Sequence, residues 1–240
     1  MSAAGGTNGL DAQGLDGGGL LRLTAWLSPT YPVGAYSFSH GLEAAGEAGL
    51  LETPAALQGW LERLLLEGAG VSDGAFLAHA HAAAADGDDT ALQDVHALAL
   101  AFQPSSELAL ETQAQGRAFL RQTRAAWPCD ALDRLAGMSD GPVAYPVAVG
   151  TAAAGHGVPL DATLTAYLGA FAGNLVSAAL RILPIGQNAG QTVLAAITPS
   201  IEAAGRAAQS TPLDAVATAV PHAEILSIAH ETQYTRLFRS

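Results

Sequence analysis

Long Ala/Leu stretches run through this 240-residue chain, broken at intervals by Pro, Gly, Asp, Asn and Ser, and no segment sustains alternation of β-branched with polar residues. The pattern predicts an all-α fold: a single-domain helical bundle of about ten helices over 20–240, behind a flexible Gly-rich leader over 1–19. Thr53-Pro54 reads as an N-cap with proline at the first helical position, opening a helix that runs to about Glu67. Ser72-Asp73 is expected to open the next helix, and Gly87-Asp88 separates it from one around Leu92 to Ala101. Pro104-Ser105-Ser106 starts a long amphipathic helix to about Trp127, ended by Pro128. Further helices are expected near 130–138, 143–155, 160–183, 188–205 and 212–220. No linker long enough to divide domains and no internal repeat interrupts the series.

The segment 162–180 is uncharged and about the length of a bilayer span. Its large aliphatic side chains are few, Asn174 sits mid-span, and Gly169, Gly173 and Ser177 form a small-residue face that lets another helix approach closely. A buried central helix is expected rather than a membrane span, because the acidic chain offers no second span and no basic flanks.

Composition then narrows the chemistry. Half the residues are hydrophobic and only 13% charged, which excludes a disordered chain. All ten positive residues are Arg, so Schiff-base, P-loop and lysine-base chemistry are absent together. A net charge of −12 argues against nucleic acid as a partner. A single cysteine, Cys129, permits no intramolecular disulfide and suits a reducing cytoplasm, and residues 1–19 lack the pattern of a secretory signal.

Motifs for catalysis are missing: no GxSxG, CxxC, HExxH or phosphate-cradling loop occurs. His79 and His81, two apart on a helix, point to nearly opposite sides, whereas His40 and Glu43 can share a face and offer two metal ligands. A nickel-storing metallochaperone would need His40, His79, His81, His96 or His222 to converge; otherwise each histidine makes an ordinary hydrogen bond. Cys129, after Trp127-Pro128 and far from any histidine in sequence, reads as a packing residue at a helix start rather than a nucleophile. Arg117, Arg121 and Arg124 form one stripe, either a surface for an acidic partner or a solvated face ordered by the helix dipole.

The last eleven residues, HETQYTRLFRS, differ from everything before them. They gather a His, two Arg, a Tyr and a Phe, residue types that anchor protein interfaces. Two readings stand: a final helix folded back on its own core, or a partner-docking tail over 221–240, loosely held from about Ala223 until a partner orders it. Near the other end, SPTYPVGAYSF sets two prolines and a glycine between short helices, which fixes a rigid loop expected to present Tyr31, Tyr36 and Phe38. Pro184 and Gly186 break the chain after the central helix, as a tight turn or a contact surface.

Three stretches together, SPTYPVGAYSFSHGLE (Ser28 to Glu43), LPIGQNAGQ (Leu183 to Gln191) and PHAEILSIAHETQYTRLFRS (Pro221 to Ser240), resemble the hallmark segments of the UreF family of urease accessory proteins. The likeness extends over nearly everything after the leader, with Gly155-His156-Gly157 standing where a more ordinary helix end is expected. The resemblance implies an all-helical, dimerising, non-enzymatic protein without a cofactor of its own. It implies binding to the accessory protein UreD, also called UreH, and recruitment of the GTPase UreG, so that nickel is inserted into apo-urease. Carried over by motif, the partner-binding positions are Tyr36, Arg236 and Arg239, supported by His230, Glu231, Gln233 and Tyr234. An unrelated helical adaptor is the remaining alternative.

Overall fold

The computed structural model describes residues 14–138 and 141–239, and among them no strand occurs. Twelve α-helices follow one another: α1 (Gly17–Trp26), α2 (Leu42–Glu47), α3 (Pro54–Glu67), α4 (Ala69–Asp86), α5 (Asp89–Ala101), α6 (Ser106–Ala126), α7 (Asp130–Met138), α8 (Tyr145–Gly155), α9 (Leu160–Ile182), α10 (Gln187–Ala196), α11 (Thr198–Ser210) and α12 (Pro221–His230). Two short 3-10 helices, Ala35–Ser37 and Leu213–Ala215, complete the described elements.

Caps explain most of the boundaries. Thr53, Asp88 and Ser105 each accept a hydrogen bond from a first-turn amide of α3, α5 and α6, satisfying donors that a helix start otherwise leaves orphaned. Four expectations fail for physical reasons. α4 begins at Ala69, so Ser72 and Asp73 lie inside its first turns rather than before it. The helix expected over 188–205 is two, because Pro199 cannot continue a helix but fits the first turn of the next. Over 212–220 only Leu213–Ala215 is helical; Val216 is already extended, and the Ala219 amide donates to the Glu67 carbonyl instead of to a local turn. Much of the expected leader lies outside the described residues, but Gly17–Gly19 belong to α1, capped by the Asp16 carboxylate on the Gly19 amide.

Small residues set how tightly the bundle closes. α4 crosses α8 so closely that a Cβ at Gly150 would meet the Leu77 carbonyl at 2.3 Å, and α6 meets the start of α8 where a Cβ at Gly116 would meet the Val143 carbonyl at 2.0 Å. The Ala-rich sequence therefore gives backbone-to-backbone packing, and the larger side chains fill the space around it. Leu57, Leu61, Leu64 and Leu65 of α3 are all buried, each worth roughly 1.5–3 kcal/mol relative to exposure. Trp26 is fully buried and meets Phe119 edge-on, with ring centroids 6.0 Å apart.

α9 is the one described helix long and apolar enough to cross a membrane, and half of its most apolar window is buried inside the fold. Its small face is not used as expected. A Cβ at Gly169 or Gly173 would meet nothing within 4 Å, so the close helix contacts are made elsewhere, at Gly116 and Gly150.

Candidate partner surface at the docked tail

The tail folds back on the body. α12 lies against α2 and α6, and Gly41 makes the approach possible: a Cβ there would stand 3.2 Å from the Ala223 carbonyl, and its φ of +77° is one that favours glycine. Beneath this contact the Ser227 and Ser105 hydroxyls share a hydrogen bond of 2.7 Å.

At the end of α12, His230 is fully buried between two carboxylates. Its Nε2 lies 3.0 Å from Glu43 Oε2 and its Nδ1 2.6 Å from Glu107 Oε2. With both nitrogens protonated the ring donates to both acids; a neutral ring would turn a lone pair toward one of them. The chain then reverses. Leu237 and Phe238 amides donate to Glu43 at 2.7 and 2.9 Å, and the Arg236 guanidinium donates to Glu107 at 2.8 Å. Two carboxylates thus meet an imidazole and a guanidinium. Burial pushes the Glu43 carboxyl up, but the Leu237 amide, His230 and the Phe238 amide together reverse this and hold it below its ordinary value.

Three further contacts complete the docking. Glu231 meets the Ser106 hydroxyl and accepts from the Ser106 amide at the start of α6, and the two together hold its carboxyl below the ordinary value. The Arg181 guanidinium sits 4.2 Å from the centre of the Phe238 ring and donates to the Tyr36 carbonyl at 2.8 Å. The Arg239 amide donates to the Ser37 carbonyl, joining the tail to the Tyr36 loop.

These positions correct several expectations. The tail is packed on the body rather than loosely held. His230 makes no surface of its own and acts as an anchor. Arg236 and Arg239 do not share a helical face, because α12 ends at His230; Arg236 pairs inward while the Arg239 guanidinium lies over Phe38, 5.8 Å from the ring centre. Gln233 bonds the Thr235 carbonyl within the turn. Of the loop aromatics only Tyr36 is exposed; Tyr31 is buried with its hydroxyl on Thr123, and Phe38 is buried. Facing solvent are Ile225, Ile228, Leu237 and Tyr234, the last fully exposed.

His40 and Glu43 do not act together: Glu43 meets His230, whereas His40 Nδ1 lies 3.6 Å from Glu111. His79 and His81 diverge as their spacing requires, to the carbonyls of Thr211 and Val158, and His96 is buried elsewhere. Among the described residues no three His, Cys, Asp or Glu side chains gather as a metal site. His156 ends α8, its Nε2 against the Trp127 carbonyl, and Gly157 takes the left-handed conformation that closes the helix. Arg117, Arg121 and Arg124 are exposed along α6, and Arg124 pairs with Asp133.

Comparison with known sequences meets this geometry. The sequence model of the family described as UreF matches residues 51–198. This chain belongs to the UreF family. It is 52% identical over 221 residues to a urease accessory protein UreF of Rhodopseudomonas palustris (strain BisB5), covering 92% of this chain and 91% of the relative. UreF proteins of Methylobacterium radiotolerans and Azorhizobium caulinodans are each 54% identical over 220 residues, covering 92% of this chain and 96% and 95% of theirs.

What the sequence reading missed in this UreF-family chain was the anchoring role of Glu43, Glu107 and Arg181. Glu107 and Glu111, four apart on α6, carried a partial signal: two acids on one face of a helix whose neighbours are apolar imply buried partners.

Proposed function

We propose that this protein is a non-enzymatic factor in urease maturation. It binds UreD/UreH through the docked tail and, as a homodimer within that complex, recruits the GTPase UreG in the cytoplasm for nickel insertion into apo-urease. Its UreF-named relatives support the urease connection. One observation carries the docking role: a tail fixed by His230, Glu43, Glu107 and Arg236 holds Ile225, Ile228, Tyr234 and Leu237 in solvent. A segment held this firmly with its apolar side chains outward has little entropy left to lose on binding, and aromatic and aliphatic anchors supply interface energy. Tyr36 and Arg239, joined through the Ser37 carbonyl, form the surface offered to UreG.

The test uses Tyr234→Ala combined with Leu237→Asp, two exposed positions, in pull-down and titration against UreD. UreD binding should fall at least tenfold with the circular dichroism spectrum unchanged, and native affinity would sink the docking role. Tyr36→Ala and Arg239→Ala are titrated with UreG on the preformed complex. Arg239→Lys should rescue only partly, because an ammonium does not reproduce bidentate contacts. Unchanged UreG affinity in both alanine variants would remove this surface from recruitment.

A further inference from the structure

The turn that carries Tyr36 has little of its own to hold it. Ala35–Ser37 is a single 3-10 turn without a side-chain cap, entered through Gly34 at a φ of +77°. Its internal hydrogen bonds run from the Ser37 amide to the Gly34 carbonyl and from the Phe38 amide to the Ala35 carbonyl. Tyr36 itself is mostly exposed. So short a turn, bearing a solvent-facing aromatic, opens readily unless partners from outside secure it.

Helix α9 supplies those partners. The Asn174 side-chain amide donates to the Ala35 carbonyl at 3.0 Å and reaches the Phe38 carbonyl at 3.5 Å, and the Arg181 guanidinium donates to the Tyr36 carbonyl at 2.8 Å. The two residues lie about two turns apart on one face of α9, with the small side chain of Ser177 between them. Arg181 is braced on both sides, by the Ser177 carbonyl at 3.4 Å from its Nε and by the Phe238 ring 4.2 Å away. With the Arg239 amide on the Ser37 carbonyl, every carbonyl from Ala35 to Phe38 meets a donor from α9 or the tail.

Two features separate this arrangement from incidental surface bonding. Asn174 is a weak helix former in the middle of a 23-residue helix, and its amide serves the loop and not its own helix. Turned over, its oxygen would face two carbonyl oxygens, so the donor is what the loop requires. The contacts also go to loop backbone alone, which fixes where the turn lies and leaves the Tyr36 ring free for a partner. An aromatic anchor held in this way loses little entropy on binding.

We propose that Asn174 and Arg181 are positioning residues for recruitment of UreG: they hold the Tyr36 turn on α9 in the pose in which its ring meets the GTPase, which presupposes that Tyr36 is a UreG contact.

Hydrogen exchange at the Ser37 and Phe38 amides of the full chain, followed by NMR, reads the turn, and titration of UreG onto the preformed UreD complex reads recruitment. Asn174→Ala should speed exchange at both amides at least tenfold. Asn174→Asp, nearly the same size but with carboxylate oxygens facing the Ala35 and Phe38 carbonyls, should speed it further, whereas a residue that only fills space would give the reverse order. UreG affinity should fall at least tenfold in Asn174→Asp, with UreD affinity and the helical spectrum unchanged. Arg181→Ala should free the turn likewise, and Arg181→Lys, which keeps a donor for the Tyr36 carbonyl, should restore part of the protection. The reverse order at Asn174, or unchanged exchange in both Asn174→Asp and Arg181→Ala, would overturn the proposal. So would faster exchange with native UreG affinity in Asn174→Asp where Tyr36→Ala weakens UreG. Native UreG affinity in Tyr36→Ala itself would instead overturn the reading of Tyr36 as a contact, and exchange alone would then judge the hold on the turn.

Discussion

Two places in this protein set a pair of carboxylates and a histidine against each other inside the fold, and they reach opposite states. At the tail anchor, Glu43 and Glu107 meet His230, Arg236 and two backbone amides, and the Glu43 carboxyl is held below its ordinary value. In the cavity beside the Tyr36 loop, Asp73 accepts from the Tyr167 hydroxyl, Glu111 accepts from Gln115 and lies 3.6 Å from His40 Nδ1, and burial pushes Asp73 up to about 6. Burial raises both acids; the number of donors returned decides the outcome. The first set stabilises a fold contact, whereas at Asp73 the cost of burial outweighs the donors it receives.

The comparison breaks most sharply at His230. His230→Ala leaves buried Glu107 with the Arg236 guanidinium alone and Glu43 with only the Leu237 and Phe238 amides, and should cost about 3 kcal/mol or more in urea unfolding. Limited trypsin digestion should then cut at Arg236 or Arg239 faster than in the unaltered chain. Acid acts on the same contact. Because the folded Glu43 carboxyl titrates below its unfolded value, the stability it contributes is complete above the unfolded value and lost as pH falls through the folded one.

At the cavity the sign reverses. Unfolded Asp73 titrates near 3.8 and folded Asp73 at about 6. Between them the folded chain keeps a proton that the unfolded chain has released, so the associated stability is full below the lower value and lost as pH rises through about 6. Asp73→Asn, uncharged at every pH, should therefore stabilise the protein by about 2 kcal/mol at pH 8 and by nothing measurable near pH 3. Thermal melts at both pH values check this, and destabilisation at pH 8 would show that Asp73 is fully compensated.

Smaller effects sharpen the contrast. Arg236→Ala removes a cation that is 41% exposed from an acid that keeps His230, and should cost about 1 kcal/mol or less in the same unfolding assay. Tyr36→Ala should change stability by no more than about 0.5 kcal/mol, since the side chain is mostly exposed and only its backbone carbonyl holds Arg181. Equal losses for Arg236→Ala and His230→Ala would mean that charge count alone, and not burial, sets the strength of the anchor.

The helical fold and most helix starts were legible in the sequence, because proline, Ser/Thr/Asp caps and apolar spacing act within a few residues of where they stand. Thr53-Pro54, Asp88 and Ser105 announced their helices; Pro199 announced a break that the expected helix over 188–205 passed over. The family, too, was legible in three short segments. The site was legible only in its residue types. Glu43 looked like a partner for His40, three residues away, yet its partner is His230, 187 residues on. Tyr31 and Phe38 looked exposed beside Tyr36 and are core. Local sequence fixes backbone conformation, because dihedral preferences and caps are short-range forces. Which acid is paired, which is left short of donors, and which aromatic faces water were decided only when α2, α6 and α12 came together, because burial and charge depend on neighbours that the chain order does not place side by side.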